Sequence, residues 1–310
     1  MSDLHIKHLV THSGAFHADE VCATAILSVL YPQAEIVRTR DAALIEELAP
    51  SAIIFDVGDV FDHAQRRYDH HQQGGPLREE CGVPYSSFGL IWWHYGWDYV
   101  RKHLGMSALL GAPVAHKFDL GFVRDIDAVD NGALQDGQEA LLHPGALPAL
   151  IVDQRPAFDN DDPEVEEQCF RNAVALARTV IDAKLRKIEA GERSDGIVRS
   201  ALRERSDPRY IELPRGMAYD GPIHEARSSD DVLFVVNPSR DEWQLNIVAE
   251  TPGQYGARKD LPAAWAGLRG KDLAEKTGVA DAVFCHKARF IAIAKTREGI
   301  MALLAQALAD

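Results

Sequence analysis

The sequence predicts an α/β protein: an N-terminal domain over residues 1–190, with a parallel sheet and flanking helices, and a smaller C-terminal α+β domain over 191–310. Three observations carry this. The first 57 residues alternate short apolar runs with longer helical ones, the pattern of a parallel sheet. Helical patterns then dominate to about residue 190. Past a polar stretch, AGERSDG at 190–196, strand-length runs return and the chain closes on a helix.

IKHLVT at 6–11 reads as the first strand, and HADEVCATAILSVLY at 17–31 as a helix stopped by Pro32. That helix is apolar on most sides, as one pressed against a sheet should be. AEIVR at 34–38 is a second strand, 41–48 a second helix and AIIFDV at 52–57 a third strand, apolar like a buried parallel strand. Helices are expected at 85–104, 114–130 and 163–190, with 190–196 as the hinge. In the aromatic run IWWHYGWDY at 91–99 the spacing favours core packing over a base-stacking platform. Strands follow at 209–213, 232–236, 243–249, 281–285 and 289–294, then a helix at 298–309.

Hydrophobic residues make up 46% and charged ones 26%, ordinary for a globular protein. The net charge of −14 argues against a non-specific polyanion binder, while leaving room for a local basic patch. Cys22, Cys81, Cys169 and Cys285 are scattered without a CxxC, which argues against a disulfide framework and a zinc knuckle and suits small buried side chains in a reducing compartment. MSDLHIKHLV lacks the basic region and long apolar run of a signal peptide, and no segment approaches a membrane span, so a cytoplasmic protein is expected.

The chemistry gathers where strands end. In an open parallel sheet, ligands bind beyond the carboxyl ends of the strands. His12 follows the first strand, Asp56 lies at the end of the third, and His17 and Asp19 open the intervening helix. That helix start also offers free N–H groups to an anion. A second cluster is RRYDHHQQGG at 66–75. His70 and His71 are adjacent and on extended backbone point to opposite sides, so one is expected on a metal and one beside it. Asp69 either belongs to the ligand set or orients a histidine. A third is RDIDAVDNG at 124–132, where Asp127 and Asp130 share a helical side. Glu20 reads as a helix-dipole residue, Asp125 as a partner of Arg124, and His5, His8 and His63 as bystanders. His and Asp without Cys suit manganese, magnesium, cobalt or zinc. Six or seven such ligands are too many for one ion with open positions, but suit two ions about 3.5–4 Å apart that activate water and offset phosphoryl charge.

THSGAFHADE, DVG at 56–58, RYDHHQ at 67–72, SSFGLIW at 86–92 and DAVDNG at 127–132 together resemble the Myg-one (melanocyte proliferating gene) family of the DHH phosphoesterase superfamily; WAGLRG at 265–270 and TREG at 296–299 extend the likeness nearly end to end. The resemblance implies a DHH-type N-terminal domain with two divalent metal ions, manganese foremost, and phosphodiester hydrolysis; family members are described as 3′–5′ RNA exonucleases. It matches His12, His17 and Asp19 to the first motif, Asp56 to the second, Asp69–His70–His71 to the third, and Asp127 or Asp130 to the fourth. The expected enzyme acts on RNA or short oligonucleotides, with Asp19 bridging the ions and His71 steadying phosphoryl oxygens. The rival readings are a hydrolase of a small phosphoester, pyrophosphate or dinucleotide, and a silent metal-binding regulatory protein. A dimer is the default assembly.

The C-terminal domain carries nine Lys or Arg against four acids between 258 and 297, a local net of +5. It is expected to close over the crevice and hold a phosphate backbone, with His286, Lys287, Arg289 and Arg297 touching substrate. Related proteins carry a GFIGG-like turn after the histidine. Here HKARFIAIAKTREG at 286–299 has Arg289 in place of glycine, a side chain that can grip a phosphate but bars close backbone approach.

Overall fold

Strands β1 (His8–Thr11), β2 (Glu35–Arg38) and β3 (Ala52–Phe55) run parallel with β1 in the middle, pairing Leu9 with Ile36 and with Ile53. The connections are helices α1 (Ala18–Leu30) and α2 (Ala42–Leu48). Alternation along each strand serves two cores: Leu9, Ile53 and Phe55 join the one containing α1, while Val10, Ala52 and Ile54 meet Ile45 of α2. Burial of both faces is why β3 is apolar throughout, whereas the edge strand β2 carries Glu35 and Arg38. Helix α2 begins where Asp41 accepts hydrogen bonds from the Ala43 and Leu44 N–H groups. The computed structural model describes residues 5–105, 108–226, 229–254 and 256–310; the first four residues of the N-terminal stretch read above for a signal lie outside these.

Two further strands complete the sheet in the order β2-β1-β3-β5-β4, with β5 (Arg67–Tyr68) parallel to β3 and β4 (Phe61–Asp62) antiparallel at the edge. At two residues each, they show no period in sequence. Helix α3 (Ser87–Leu104) buries Phe88, Ile91, Trp92, Tyr95 and Tyr99 in the core shared with α1, so the aromatic run is largely packing; Trp93 is the exception, 56% exposed. The single helix expected at 114–130 is α4 (Ala108–Phe118), a π-helical turn (Asp119–Val123) and α5 (Arg124–Asp130). Short α6 (Leu147–Val152) follows.

The chain divides into two compact units, Met1–Glu189 and Ala190–Asp310. The hinge expected at 190–196 is instead helical: α7 runs unbroken from Pro163 to Glu204. Its Gly191 and Gly196 cost about 1 kcal/mol each against Ala, but no proline interrupts it, and Ile181, Leu185, Val198 and Leu202 keep a buried stripe on both sides of the polar stretch.

The second unit holds a five-stranded sheet in the order β6-β7-β8-β10-β9, from β6 (Tyr210–Glu212), β7 (Phe234–Ser239), β8 (Glu242–Ile247), β9 (Ala282–Cys285) and β10 (Ile291–Ala294). Only the β6–β7 pair is parallel. One face packs on α9 (Gly270–Thr277) and α10 (Arg297–Ala309) through Leu273, Ile300 and Leu304; the other meets Val198 and Leu202 of α7 and Ile223 of α8 (Asp220–Glu225). Among the described residues no helix is long and apolar enough to cross a membrane.

Candidate metal centre

Parallel pairing brings the carboxyl ends of β1 and β3 to one edge, so His12 and Asp56 emerge side by side: His12 Nε2 lies 3.2 Å from Asp56 Oδ2. Asp56 sits at φ 57°, a left-handed position that Asp tolerates better than most residues, and its Oδ1 accepts from Ser87 Oγ at 3.0 Å. The first turn of α1 supplies Asp19 and Glu20. Glu20 accepts from the His17 N–H at 2.8 and 2.9 Å, as a capping-box residue does. It is also fully buried and 3.1 Å from His12 Nε2, so the helix-dipole reading understates it: Glu20 belongs to the cluster.

The DHH run divides its labour. Asp69 accepts from the N–H groups of Asp59 (2.7 Å), His70 (2.7 Å) and His71 (3.2 Å), which folds the turn, and contacts His71 Nδ1 at 2.6 Å. His70 turns inward, its Nε2 3.3 Å from both Asp56 Oδ1 and Asp130 Oδ2 and 3.8 Å from Asp19 Oδ2. His71 leaves 57% of its side chain exposed, against 9% for His70.

Asp127 lies outside this group. Its carboxylate accepts from Ser86 N–H (3.1 Å), Ser86 Oγ (2.7 Å) and Arg78 Nε (2.8 Å), and no Cβ fits at Gly89 against it. Spacing of three residues puts Asp127 and Asp130 on one side of α5 but most of a turn apart, and only Asp130 reaches the histidines. Burial pushes the Asp127 carboxyl up to about 6, against the pull of Arg78 and Ser86.

Among the described residues, four overlapping sets of side chains bring ligand atoms within 4.8 Å of one another: His12–His17–Glu20, Asp19–Glu20–Asp56, Asp19–His70–Asp130 and Asp56–His70–His71. Asp19 decides whether they suit a cation. Both its oxygens are buried without a hydrogen-bond partner among the described residues; the carboxylates of Asp56, Asp130 and Glu20 crowd it, and His70 Nε2 stands 3.8 Å from its Oδ2. A buried carboxylate with no donor is costly unless it is protonated or bound to a cation. Burial, then those neighbours, hold its carboxyl well above the usual range. Burial also raises Asp130, helped by Asp56 and opposed by His70. Burial acts on Asp56 the same way, but His12 and His70 outweigh it and hold that carboxyl low. Burial would lower His12, yet Asp56 and Glu20 raise it to about 10. Against burial, Asp56 and Asp130 likewise raise His70, so the two histidines favour the charged form that offsets these carboxylates, a role a divalent cation could take over. The residues fit divalent cations.

A cleft of about 700 Å³ opens on the cluster, lined by His12, His17, Asp56, His70, His71 and Asp130 and also by Arg40, which lies outside the sequence motifs. Glu20 has a signal in sequence, three residues past a helix cap at a strand–helix junction; Arg40, two residues beyond β2, has none by itself.

The four residues expected to touch substrate in the second unit lie at or near the β9–β10 turn and the start of α10. His286 Nδ1 accepts from the Ala288 N–H at 3.0 Å, and Lys287 lies beside Gly267. Arg289 keeps a glycine-like backbone at φ 61°, but its guanidinium is paired with Asp260 at 2.5 Å. Arg297 makes two bonds to Glu212, at 2.7 and 2.6 Å. Both arginines are thus engaged by carboxylates in partly exposed ion pairs.

Fold and site together define an α/β protein with a His–carboxylate cluster, able to hold divalent cations, where the parallel strands of its first sheet end. Residues 8–308 match the MYG1 exonuclease family model, described as an uncharacterised protein family (UPF0160), and the chain belongs to that family. It is 31% identical to the MYG1 exonuclease of Homo sapiens over 328 residues, covering 97% of this chain and 85% of that protein. It is 28% identical to the MYG1 protein YER156C of Saccharomyces cerevisiae, covering 98% and 96%. Among solved structures, RecJ in complex with Mn2+ from Thermus thermophilus aligns with a TM-score of 0.28 at 12% identity; the alignment covers 98% of this chain, which spans about half (52%) of RecJ.

Proposed function

We propose that the protein is a divalent-metal-dependent phosphodiester hydrolase with a DHH-type catalytic domain, acting as a 3′–5′ exonuclease on RNA or short oligonucleotides. The observation that carries this is the Asp19 carboxylate, buried without a donor among Asp56, Glu20 and Asp130; membership of an exonuclease family supports it. Two divalent cations, manganese foremost, would make water a nucleophile near neutral pH and offset charge on the phosphoryl oxygens. His12, His17, Asp19, Asp56, His70 and Asp130 would hold them, with Glu20 alongside. Asp69 engages His71 Nδ1, which leaves Nε2 for a phosphoryl oxygen. Ser87 fixes the rotamer of Asp56.

The test is to strip the protein of metal, restore Mn2+, Mg2+, Co2+ or Zn2+ in turn, and offer end-labelled RNA, DNA, dinucleotides and pyrophosphate. Stepwise shortening of RNA from its 3′ end is expected with Mn2+. Absence of turnover under every combination would sink the proposal, and cleavage of pyrophosphate alone would replace it with the small-phosphoester reading.

A further inference from the structure

The cleft has a second character beside its metal ligands. At about 700 Å³ it falls in the range of pockets that enclose a whole small molecule, far beyond what cations and one phosphoryl group fill. Much of its lining is aliphatic: Val129 from α5, Leu142 from the 3-10 turn Glu139–Leu142, and Pro148, Ala149 and Val152 from α6. Leu142 and Val152 stay 62% and 41% exposed. Aliphatic surface left open inside a ligand-binding cleft favours an occupant with an apolar face.

Groups that could read a base edge are scarce. Among the described lining residues Asn131 is the only side-chain amide, none carries a hydroxyl, and the Asn131 Nδ2 already bonds the Pro84 and Asp127 carbonyls at 3.2 and 3.0 Å. The one Lys or Arg in the lining is Arg40. Its Nε donates to the Ser13 carbonyl at 3.1 Å, which anchors the side chain, while its two terminal nitrogens have no hydrogen bond or ion pair among the described residues. In this it differs from Arg38, which is spent on Glu166 and the Gly14 carbonyl.

We propose that the cleft is a nucleotide site in two parts: Arg40 holds a phosphate, and the aliphatic wall of Leu142, Pro148 and Val152 takes the face of a base, requiring that a base be present without reading which one. This deepens the phosphodiesterase proposal and rests on it for the placement of the reacting phosphate. A guanidinium fork suits a phosphate at the rim of a cleft otherwise rich in carboxylates. A planar base offers the wall a face it can cover, which pyrophosphate does not.

The test measures equilibrium binding and needs no turnover. Full-length protein with Mn2+ is titrated with the four nucleoside 5′-monophosphates, with ribose 5-phosphate and with inorganic phosphate. Covering about 50–60 Å² of aliphatic surface is worth about 10-fold in affinity, so each nucleotide should bind about 10-fold more tightly than ribose 5-phosphate, with the four agreeing within about 3-fold. The double variant Leu142→Ser, Val152→Ser, at two exposed positions, should erase that margin and leave ribose 5-phosphate binding unchanged. Arg40→Gln should weaken every ligand, inorganic phosphate included, by about 10-fold, the scale of one charged hydrogen-bonded contact. Equal binding of ribose 5-phosphate and nucleotides, survival of the margin in the double variant, strong preference for one base, or an unaffected Arg40→Gln would each overturn the inference. The expected binding pattern in a protein that cleaves nothing would support the nucleotide site and defeat the hydrolase; cleavage of RNA without the pattern would do the reverse.

Discussion

Two polar regions of this molecule look alike in sequence and differ in structure. At the carboxyl edge of the first sheet, Asp19 is buried with no donor, and His12 and His70 crowd against Asp56. At the β9–β10 turn and the start of α10, charged side chains are equally dense, yet Arg289 has Asp260 and Arg297 has Glu212. The first region crowds a carboxylate with no donor among the described residues, whereas each of these arginines of the second already faces a carboxylate. Charge density therefore does not mark a site; unmet bonding capacity does.

The sharpest break of that contrast is Asp19→Asn. Activity should fall by more than about 100-fold, the scale of losing a group that stabilises transition-state charge, and bound metal should fall with it. The metal-stripped variant should nevertheless melt no lower than the metal-stripped parent, because an amide relieves a buried carboxylate crowded by three others, whose one histidine contact, His70, is a long 3.8 Å. Calorimetry of both stripped proteins decides this, and a clear loss of stability would mean that Asp19 serves the fold.

The next effect separates the adjacent histidines. His70→Ala should lose metal by elemental analysis. His71→Ala should keep it and lose rate by about 10- to 100-fold, as groups just outside a metal's ligands do. Equal metal loss in both would place His71 among the ligands.

A smaller effect is expected in the second unit. Arg289→Gly removes a side chain from a left-handed backbone position, where an L-residue costs roughly 1–2 kcal/mol, and also removes the exposed pair with Asp260, worth up to about 1 kcal/mol. Stability should change by no more than about 1 kcal/mol in urea melts, and cleavage of short and long oligonucleotides should hold. A selective loss on long substrates would show that Arg289 leaves Asp260 for phosphate, and the two regions would then be alike.

The βαβαβ start was legible because apolar strands and a helix buried on most sides carry strong periodic signals, and with it came the meeting of His12, Asp19 and Asp56. Strands β4 and β5 were not, since two residues hold no period and their pairing depends on β3. The two units divide beside 190–196, yet that stretch is helical, because polar residues and two glycines suit an exposed helix face as well as a linker. The separation of Asp127 from Asp130 depends on Arg78, forty-nine residues upstream of Asp127, and no local pattern announces that partner. Arg289 shows the limit most plainly: its charge is visible in the sequence, but the carboxylate that occupies it is not.

The smallest effect tests whether every unpartnered buried atom marks a ligand site. His94 Nε2 is buried with no hydrogen-bond partner among the described residues, like Asp19. Its surroundings are different: the ring stacks on His63 at 3.9 Å and is flanked by Trp93 and Tyr68, with no carboxylate in the group. Burial, and then His63, lower its pKa to about 4 from 6.5. The unfolded chain therefore takes up this proton first as pH falls. Stability from this residue is complete above pH 6.5 and declines as pH drops toward 4. His94→Phe keeps a ring in the stack and removes the titration, so the parent should lose more melting temperature than the variant between about pH 7 and about pH 4.5, and the two should track each other above that range. The metal content and activity of the variant should match the parent. Parallel melting curves across the whole range would show that His94 takes up its proton alike in the folded and unfolded states. Loss of metal on replacing His94 would join this aromatic stack to the centre and end the distinction between an atom that waits for a ligand and one that is merely dry.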